Sequence, residues 1–203
     1  MDKDPVNLVV CGVGGQGNVV ASQLIGAVLV ERGYKVTIGE TYGASQRGGS
    51  VMSHVRISRR RQFGPLAPPG SADLVVALEP VEAARVLARF GNPSTVSVVN
   101  RRPVHPVDVI SGLLPYPEID TLFAKIESLS RRAYFIDATE AALELGAPVL
   151  ANIVLIGALS GAGLLPIDEE SLSQAITEYM SADKVEINRT AFLKGVDMVK
   201  ALR

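Results

Sequence analysis

The sequence predicts an α/β chain, a three-layer sandwich of helices around a mostly parallel sheet, ending in a helical C-terminal tail. Two observations carry this. Short β-branched runs alternate with longer helical segments, the pattern of strand–helix–strand units. The first of these runs opens onto a glycine-rich loop that leads straight into a helix. The chain has 203 residues, 47% hydrophobic and 20% charged, which is enough for one proper core, and residues 1–203 read as a single domain.

Asn7–Cys11 reads as a buried first strand. The loop Gly12–Gly17 follows, then a helix over about Asn18–Arg32 with apolar residues at helical spacing, ended by Gly33. Tyr34–Gly39 is a second strand, followed by a Gly/Ser/Gln loop. Ser50–Ser58 alternates, with Val51, Ser53, Val55 and Ile57 on one face and Met52, His54 and Arg56 on the other. Leu74–Leu78 and Thr95–Val99 are near-continuous apolar strands, with a helix over about Val81–Ala88 between them. Tyr134–Ile136 is a last strand. Helices over about Pro148–Ala162, Asp168–Met180 and Glu186–Leu202 form the tail, and Asp168, Glu169 and Glu170 put carboxylates where a helix dipole favours them. Arg101–Pro117, with its prolines, reads as an irregular surface excursion.

Composition excludes several classes of function. Lys plus Arg number 20 against 21 Asp plus Glu, so no bulk field recruits nucleic acid or an anionic membrane. Aromatics are 5% with no Trp, which argues against a stacking platform for single strands. One cysteine cannot make an internal disulfide, a thiolate zinc site or an iron–sulfur cluster. The charged start, Met1–Pro5, lacks the pattern of a signal peptide, so the expected location is the cytoplasm. The apolar stretch Ala147–Leu165 is bounded by Pro148 and Pro166 and broken by glycines, and reads as a buried core or subunit-interface helix, not a span.

Gly12-Val13-Gly14-Gly15-Gln16-Gly17 satisfies G-x-G-x-x-G between a strand and a helix, the context of a Rossmann-like dinucleotide site. Glycines admit a phosphate close to the backbone, and the helix N-terminus offers free N–H groups and positive potential. Glu40, 23 residues beyond Gly17, is a candidate ribose-binding acid, though slightly far. The alternative is that the glycines only let helix and strand pack closely. A second loop, Ser45-Gln46-Arg47-Gly48-Gly49, offers a hydroxyl, an amide, a planar cation and close backbone approach. It is expected to leave a strand adjacent to the first, so that both loops either form one anion-facing pocket or only shape an interface with a partner subunit.

As a set, these motifs resemble the gamma subunit of 2-oxoacid:ferredoxin oxidoreductases. The resembling residues are Gly12–Gly17, Ser45–Ser50 with Ser53–Arg56, Ala77-Leu78-Glu79-Pro80 with Glu82-Ala83, and Ala151-Asn152 with Gly157–Leu159. Asn100–Pro103 with Pro106, Tyr116-Pro117 and Asp137–Thr139 are most similar to the indolepyruvate branch, where this polypeptide is the beta subunit. The resemblance implies CoA-dependent oxidative decarboxylation of a 2-oxoacid to an acyl-CoA, with electrons passed to ferredoxin. It places thiamine diphosphate and the iron–sulfur clusters on partner subunits, with CoA as co-substrate. This chain is then a cofactor-free subunit, inactive and self-associating when isolated. The candidate binding residues, taken from the chemistry of the two loops and not from the family, are Gly12, Gly14, Gly15, Gln16, Gly17, Ser45, Gln46, Arg47, Gly48 and Gly49, with no catalytic or metal-ligating residue. The competing readings are a free-standing NAD- or FAD-dependent oxidoreductase and a nucleotide-sensing module.

Other residues have plainer expectations. Cys11 is a buried small hydrophobe, and His54 and Arg56 are solvent or interface residues. Arg59–Arg61 is a solvated turn. Asn152, an amide in an apolar helix, ties a loop or neighbouring subunit in place, and Asp137 caps the helix starting near Thr139.

Overall fold

The computed structural model describes residues 3–43, 49–179 and 181–202. Six strands, β1 (Val6–Val13), β2 (Lys35–Tyr42), β3 (Ser50–Ser58), β4 (Leu74–Ala77), β5 (Val96–Asn100) and β6 (Arg132–Ile136), form one sheet in the order β2-β3-β1-β4-β5-β6. β1, β4, β5 and β6 are mutually parallel, and β3 is antiparallel to both of its neighbours.

The second strand is therefore not adjacent to the first, as its position after one crossover suggested. Only residues 43–49 connect β2 to β3, and a parallel return needs a dozen or more residues, so the two strands form a hairpin. The hairpin places β3 against β1, with Val13 opposite Ser50 and Val6 opposite Ile57.

Helices cover both faces. α1 (Asn18–Glu31), α5 (Ala138–Glu144), α6 (Ala151–Gly161), α7 (Glu169–Tyr179) and α8 (Val185–Lys200) lie on one side, where Leu8, Val10, Val76 and Val98 point. α2 (Pro80–Phe90) and α4 (Ile119–Ser128) cover the other, over Val9, Cys11, Val75 and Val99. α4 was not foreseen in the sequence. Arg101–Pro117 contains one short helix, α3 (Val107–Ile110).

The apolar stretch of the sequence resolves as a 3-10 turn, Pro148–Leu150, running into α6. Ala151 to Leu159 are all buried, against the sheet, α1, α5 and above all α8, so this helix is internal and offers no subunit interface. The contact with α8 is backbone on backbone. A Cβ on Gly157 would stand 2.0 Å from the Phe192 carbonyl oxygen, and one on Gly195 would stand 1.9 Å from the Val154 carbonyl oxygen.

His54 corrects a further expectation. It is 2% exposed, edge-on to Phe90 of α2 at 4.8 Å, and the segment after β3 folds back beside it, with Pro65 against its cross-strand partner Gly39. Arg56 holds the returning segment through the carbonyls of Gly64 and Leu66, at 3.2 and 3.3 Å. Burial, then Arg89 and Arg56, push the His54 pKa down, so the ring is neutral. The Arg59–Arg61 turn is exposed as expected.

Two outcomes test this packing. Gly195→Ala should force α6 and α8 apart and lower unfolding free energy by about 3 kcal/mol or more, measured by urea denaturation. Asp168 caps α7, accepting the Ser171 N–H at 3.0 Å and pairing with Arg32, and these contacts hold its pKa at about 2, from a usual 3.8. A depressed carboxylate stabilises the fold fully above its unfolded pKa and loses that contribution as pH falls through its folded one. Asp168→Ala should therefore cost about 1 kcal/mol at pH 7, and thermal melts should show the gap closing between pH 4 and pH 2.

Candidate functional site

The carboxyl end of β1 meets the glycine loop at the sheet edge where open α/β folds hold ligands. Gly12 leaves room for two side chains: a Cβ there would meet Asn18 Oδ1 and Gln16 Oε1, both at 2.7 Å. Gln16 is spent inside the loop. Its Oε1 accepts the Val13 N–H at 2.8 Å and its Nε2 donates to the Leu78 carbonyl at 2.9 Å. Asn18 Nδ2 donates to the Val13 carbonyl at 3.1 Å. Gly15 and Gly17 both have positive φ, +103° and +83°. A Cβ on Gly15 would meet nothing within 4 Å, so its backbone faces open space. α1 starts at Asn18 with no side-chain cap among the described residues, so the N–H groups of its first turn are available to an anion.

Asn152 ties this loop down as its position in an apolar helix suggested. Its Nδ2 donates to the Gly17 carbonyl at 3.2 Å, linking α6 to the start of α1. The hairpin reaches the same place: Gly14 N–H donates to the Gly49 carbonyl at 2.8 Å. Of the second loop, Gly49 is thus beside the first, while Ser45, Gln46, Arg47 and Gly48 lie outside the described residues.

Three open cavities surround the glycine loop. One of about 820 Å³ lies between Gly14, Gly15, Gly17 and Val20 and the hairpin residues Tyr42 and Val51. A second, about 660 Å³, is shared by Gly15 and Gln16 with Arg102, His105, Thr139 and Val149. A third, about 460 Å³, runs from Val13 and Gly49 past Glu79 and Arg85 to Leu114 and Tyr116.

The walls of the last two cavities are held by residues whose roles sequence reasoning did not assign. Glu79 is 1% exposed and caps α2, accepting the Glu82 N–H at 2.9 Å, while Tyr116 Oη–H donates to its other oxygen. Burial raises its pKa, opposed by these hydrogen bonds. Glu82 accepts from Ser50 Oγ at 2.6 Å and from Arg85 at 2.7 Å. Asn100, also buried, donates to the Leu78 carbonyl at 3.1 Å and to Thr139 Oγ1 at 2.9 Å, and accepts the Thr139 N–H at 3.3 Å. It takes the role expected of Asp137, which stands at the N-cap of α5 but makes no cap bond and faces Arg101 at 3.5 Å instead. The signal was present in the sequence, since Glu79, Asn100, Tyr116 and Thr139 all fall in the motifs that carry the resemblance.

This geometry does not suit a nicotinamide or flavin dinucleotide. With β3 inserted, Glu40 is on the second strand out from β1, roughly 10 Å across the sheet, and pairs with Tyr42 rather than with a ribose. Cys11 is buried and its thiol pKa is pushed up by desolvation and by Glu82 and Glu79, so it is no nucleophile. Among the described residues, no three His, Cys, Asp or Glu side chains gather to hold a metal, and no helix is long and apolar enough to cross a membrane.

Comparison with known proteins agrees with these observations. The family model described as pyruvate ferredoxin/flavodoxin oxidoreductase matches residues 7–198. The indolepyruvate oxidoreductase subunit IorB of Archaeoglobus fulgidus is 38% identical over 190 residues, covering 94% of this chain and 93% of that one. The fold matches a keto/oxoacid ferredoxin oxidoreductase gamma subunit from Geobacter sulfurreducens with TM-score 0.68 and 22% identity, over 97% of this chain and 99% of that one. It also matches a 2-oxoglutarate:ferredoxin oxidoreductase from Magnetococcus marinus, solved with 2-oxoglutarate, coenzyme A and succinyl-CoA bound, with TM-score 0.74 and 24% identity. That match covers 100% of this chain and 32% of the other. The chain belongs to the pyruvate ferredoxin/flavodoxin oxidoreductase family, and to its small-subunit type rather than to the free-standing dinucleotide enzymes.

Proposed function

We propose that this chain is the cofactor-free subunit of a cytoplasmic 2-oxoacid:ferredoxin oxidoreductase of the indolepyruvate type, and that its glycine-loop crevice binds CoA. In the overall reaction the 2-oxoacid carboxyl group leaves as carbon dioxide, the CoA thiol takes the acyl group, and the electron pair passes to ferredoxin. Thiamine diphosphate and the iron–sulfur clusters belong to partner subunits. The task left for this chain is to bind and orient.

The observation that carries the CoA assignment is the open backbone at Gly15 beside the uncapped start of α1. These groups suit a pyrophosphate: N–H donors and the positive end of a helix dipole, with no carboxylate needed from a ribose-binding strand. Gly14 and Gly17 shape this cradle. Gly12 and Gln16 support it from behind by the contacts described above. For the same anion the second loop, Ser45, Gln46 and Arg47 with Gly48 and Gly49, offers a hydroxyl, an amide and a planar cation. The Magnetococcus structure, solved with coenzyme A bound, supports the reading at the level of a shared fold.

In the assembled complex, Arg47→Ala should raise the KM for CoA roughly tenfold with little change in kcat, as expected for one lost charge-assisted contact. Unchanged KM with weakened assembly would assign the second loop to the subunit interface instead. The purified chain alone should turn over no 2-oxoacid with a low-potential dye, and any such turnover would contradict the cofactor-free assignment.

A further inference from the structure

In the Arg101–Pro117 excursion Tyr116 turns inward onto Glu79, whereas most of the apolar residues stand out in solvent. α3 contains no buried residue. Val107, Ile110 and Leu113 are 75%, 73% and 74% exposed, and Leu114 is 58% exposed. Of the twelve large hydrophobic residues exposed among the described residues, four fall between positions 107 and 114. Val149, 52% exposed, lines the same cavity as Ile110.

The excursion is pinned in place. Tyr116 is bonded to the buried Glu79, the His105 ring lies 4.9 Å from that of Tyr116, and the N–H groups of Leu113 and Leu114 donate to the Asp108 carbonyl at 2.8 and 3.0 Å. A segment held this firmly, yet showing contiguous aliphatic side chains to water, forgoes burial that nothing among the described residues supplies.

We propose that Val107, Ile110, Leu113 and Leu114, with Val149, form the docking surface for another subunit of the oxidoreductase complex, one presenting an apolar face. Two observations select that occupant over a second copy of this chain. The patch is continuous with the cavities beside the glycine loop: Ile110 lines one, Val109 and Leu114 the other. A different chain seated there walls both cavities and adds groups this chain lacks, whereas a symmetric pair sets each crevice against its own copy. In the Magnetococcus oxidoreductase, moreover, the same fold is 32% of a longer chain and has neighbouring protein covalently attached. A separate subunit must recruit its neighbour by surface alone. The exposed side chains offer on the order of 400 Å², about half of what one partner contributes to a standard interface, which makes the patch the centre of the contact and not its whole extent.

The test compares the purified native complex with the isolated chain by amide hydrogen exchange, and follows assembly of I110D/L113D by analytical ultracentrifugation. V30D, at another exposed apolar position (56%), on α1 and away from the patch, is the control. Exchange at residues 107–114 should slow at least tenfold on assembly, and I110D/L113D should weaken assembly roughly a hundredfold while V30D leaves it unchanged. Three results would each overturn the proposal: unchanged exchange at 107–114 in the complex, equal loss of assembly in V30D, or a self-associated isolated chain that I110D/L113D converts to monomer. The exchange comparison uses the unaltered protein and decides the matter even if the double variant is poorly folded. The CoA assignment is read separately, from the KM of complexes that assemble.

Discussion

The pairing of β3 against β1 is the constraint from which the architecture of the site follows. It inserts an antiparallel strand into an otherwise parallel sheet, next to the strand that carries the glycine loop. Because β3 arrives by a hairpin, its first residues return to the carboxyl end of β1, and Gly14 and Gly49 join through a backbone hydrogen bond. The same insertion displaces β2 and its acid to the sheet margin. A fingerprint shared with dinucleotide-binding domains thus sits in a setting where the ribose-reading position is occupied by another strand. The local loop is preserved while the ligand chemistry around it changes.

The glycine loop is held from behind as much as it is open in front. Gln16 and Asn18 turn their amides into the loop, and Asn152 reaches it from α6. α6 in turn is locked to α8 by glycines that allow the two backbones to touch. The apolar α6 therefore supplies a rigid wall from which one amide fixes the turn at Gly17. A phosphate cradle needs such rigidity, since its donors are useful only when they already point at the ligand.

Beside the cradle, Glu79 joins two roles. It caps α2 and, through Tyr116, anchors the far end of an excursion whose near end is held by the Arg101 N–H on the Ile136 carbonyl. A buried carboxyl group is an expensive anchor, and this one is satisfied by hydrogen bonds on both oxygens. What it holds in place is an apolar surface at the rim of the crevice. The proposed ligand cavity and the proposed docking surface consequently share one edge of the molecule.

Much of this was legible in the amino-acid sequence. The buried strands, the helices around them and the glycine loop follow from local periodicity and from glycine at positions of positive φ, which are properties of near neighbours in the chain. The family was legible as well, because its motifs are short and read in order. Sequence could not show that β3 lies between β1 and β2, since pairing partners are chosen by loop length and shared faces across the sheet. Nor could it tell that His54 is buried, which depends on Phe90 of α2 packing against it from outside the strand, or that the apolar α6 is internal while the proline-rich excursion carries the exposed hydrophobics. Whether an apolar residue faces core or water is decided by what packs over it, and that covering comes from residues distant in sequence.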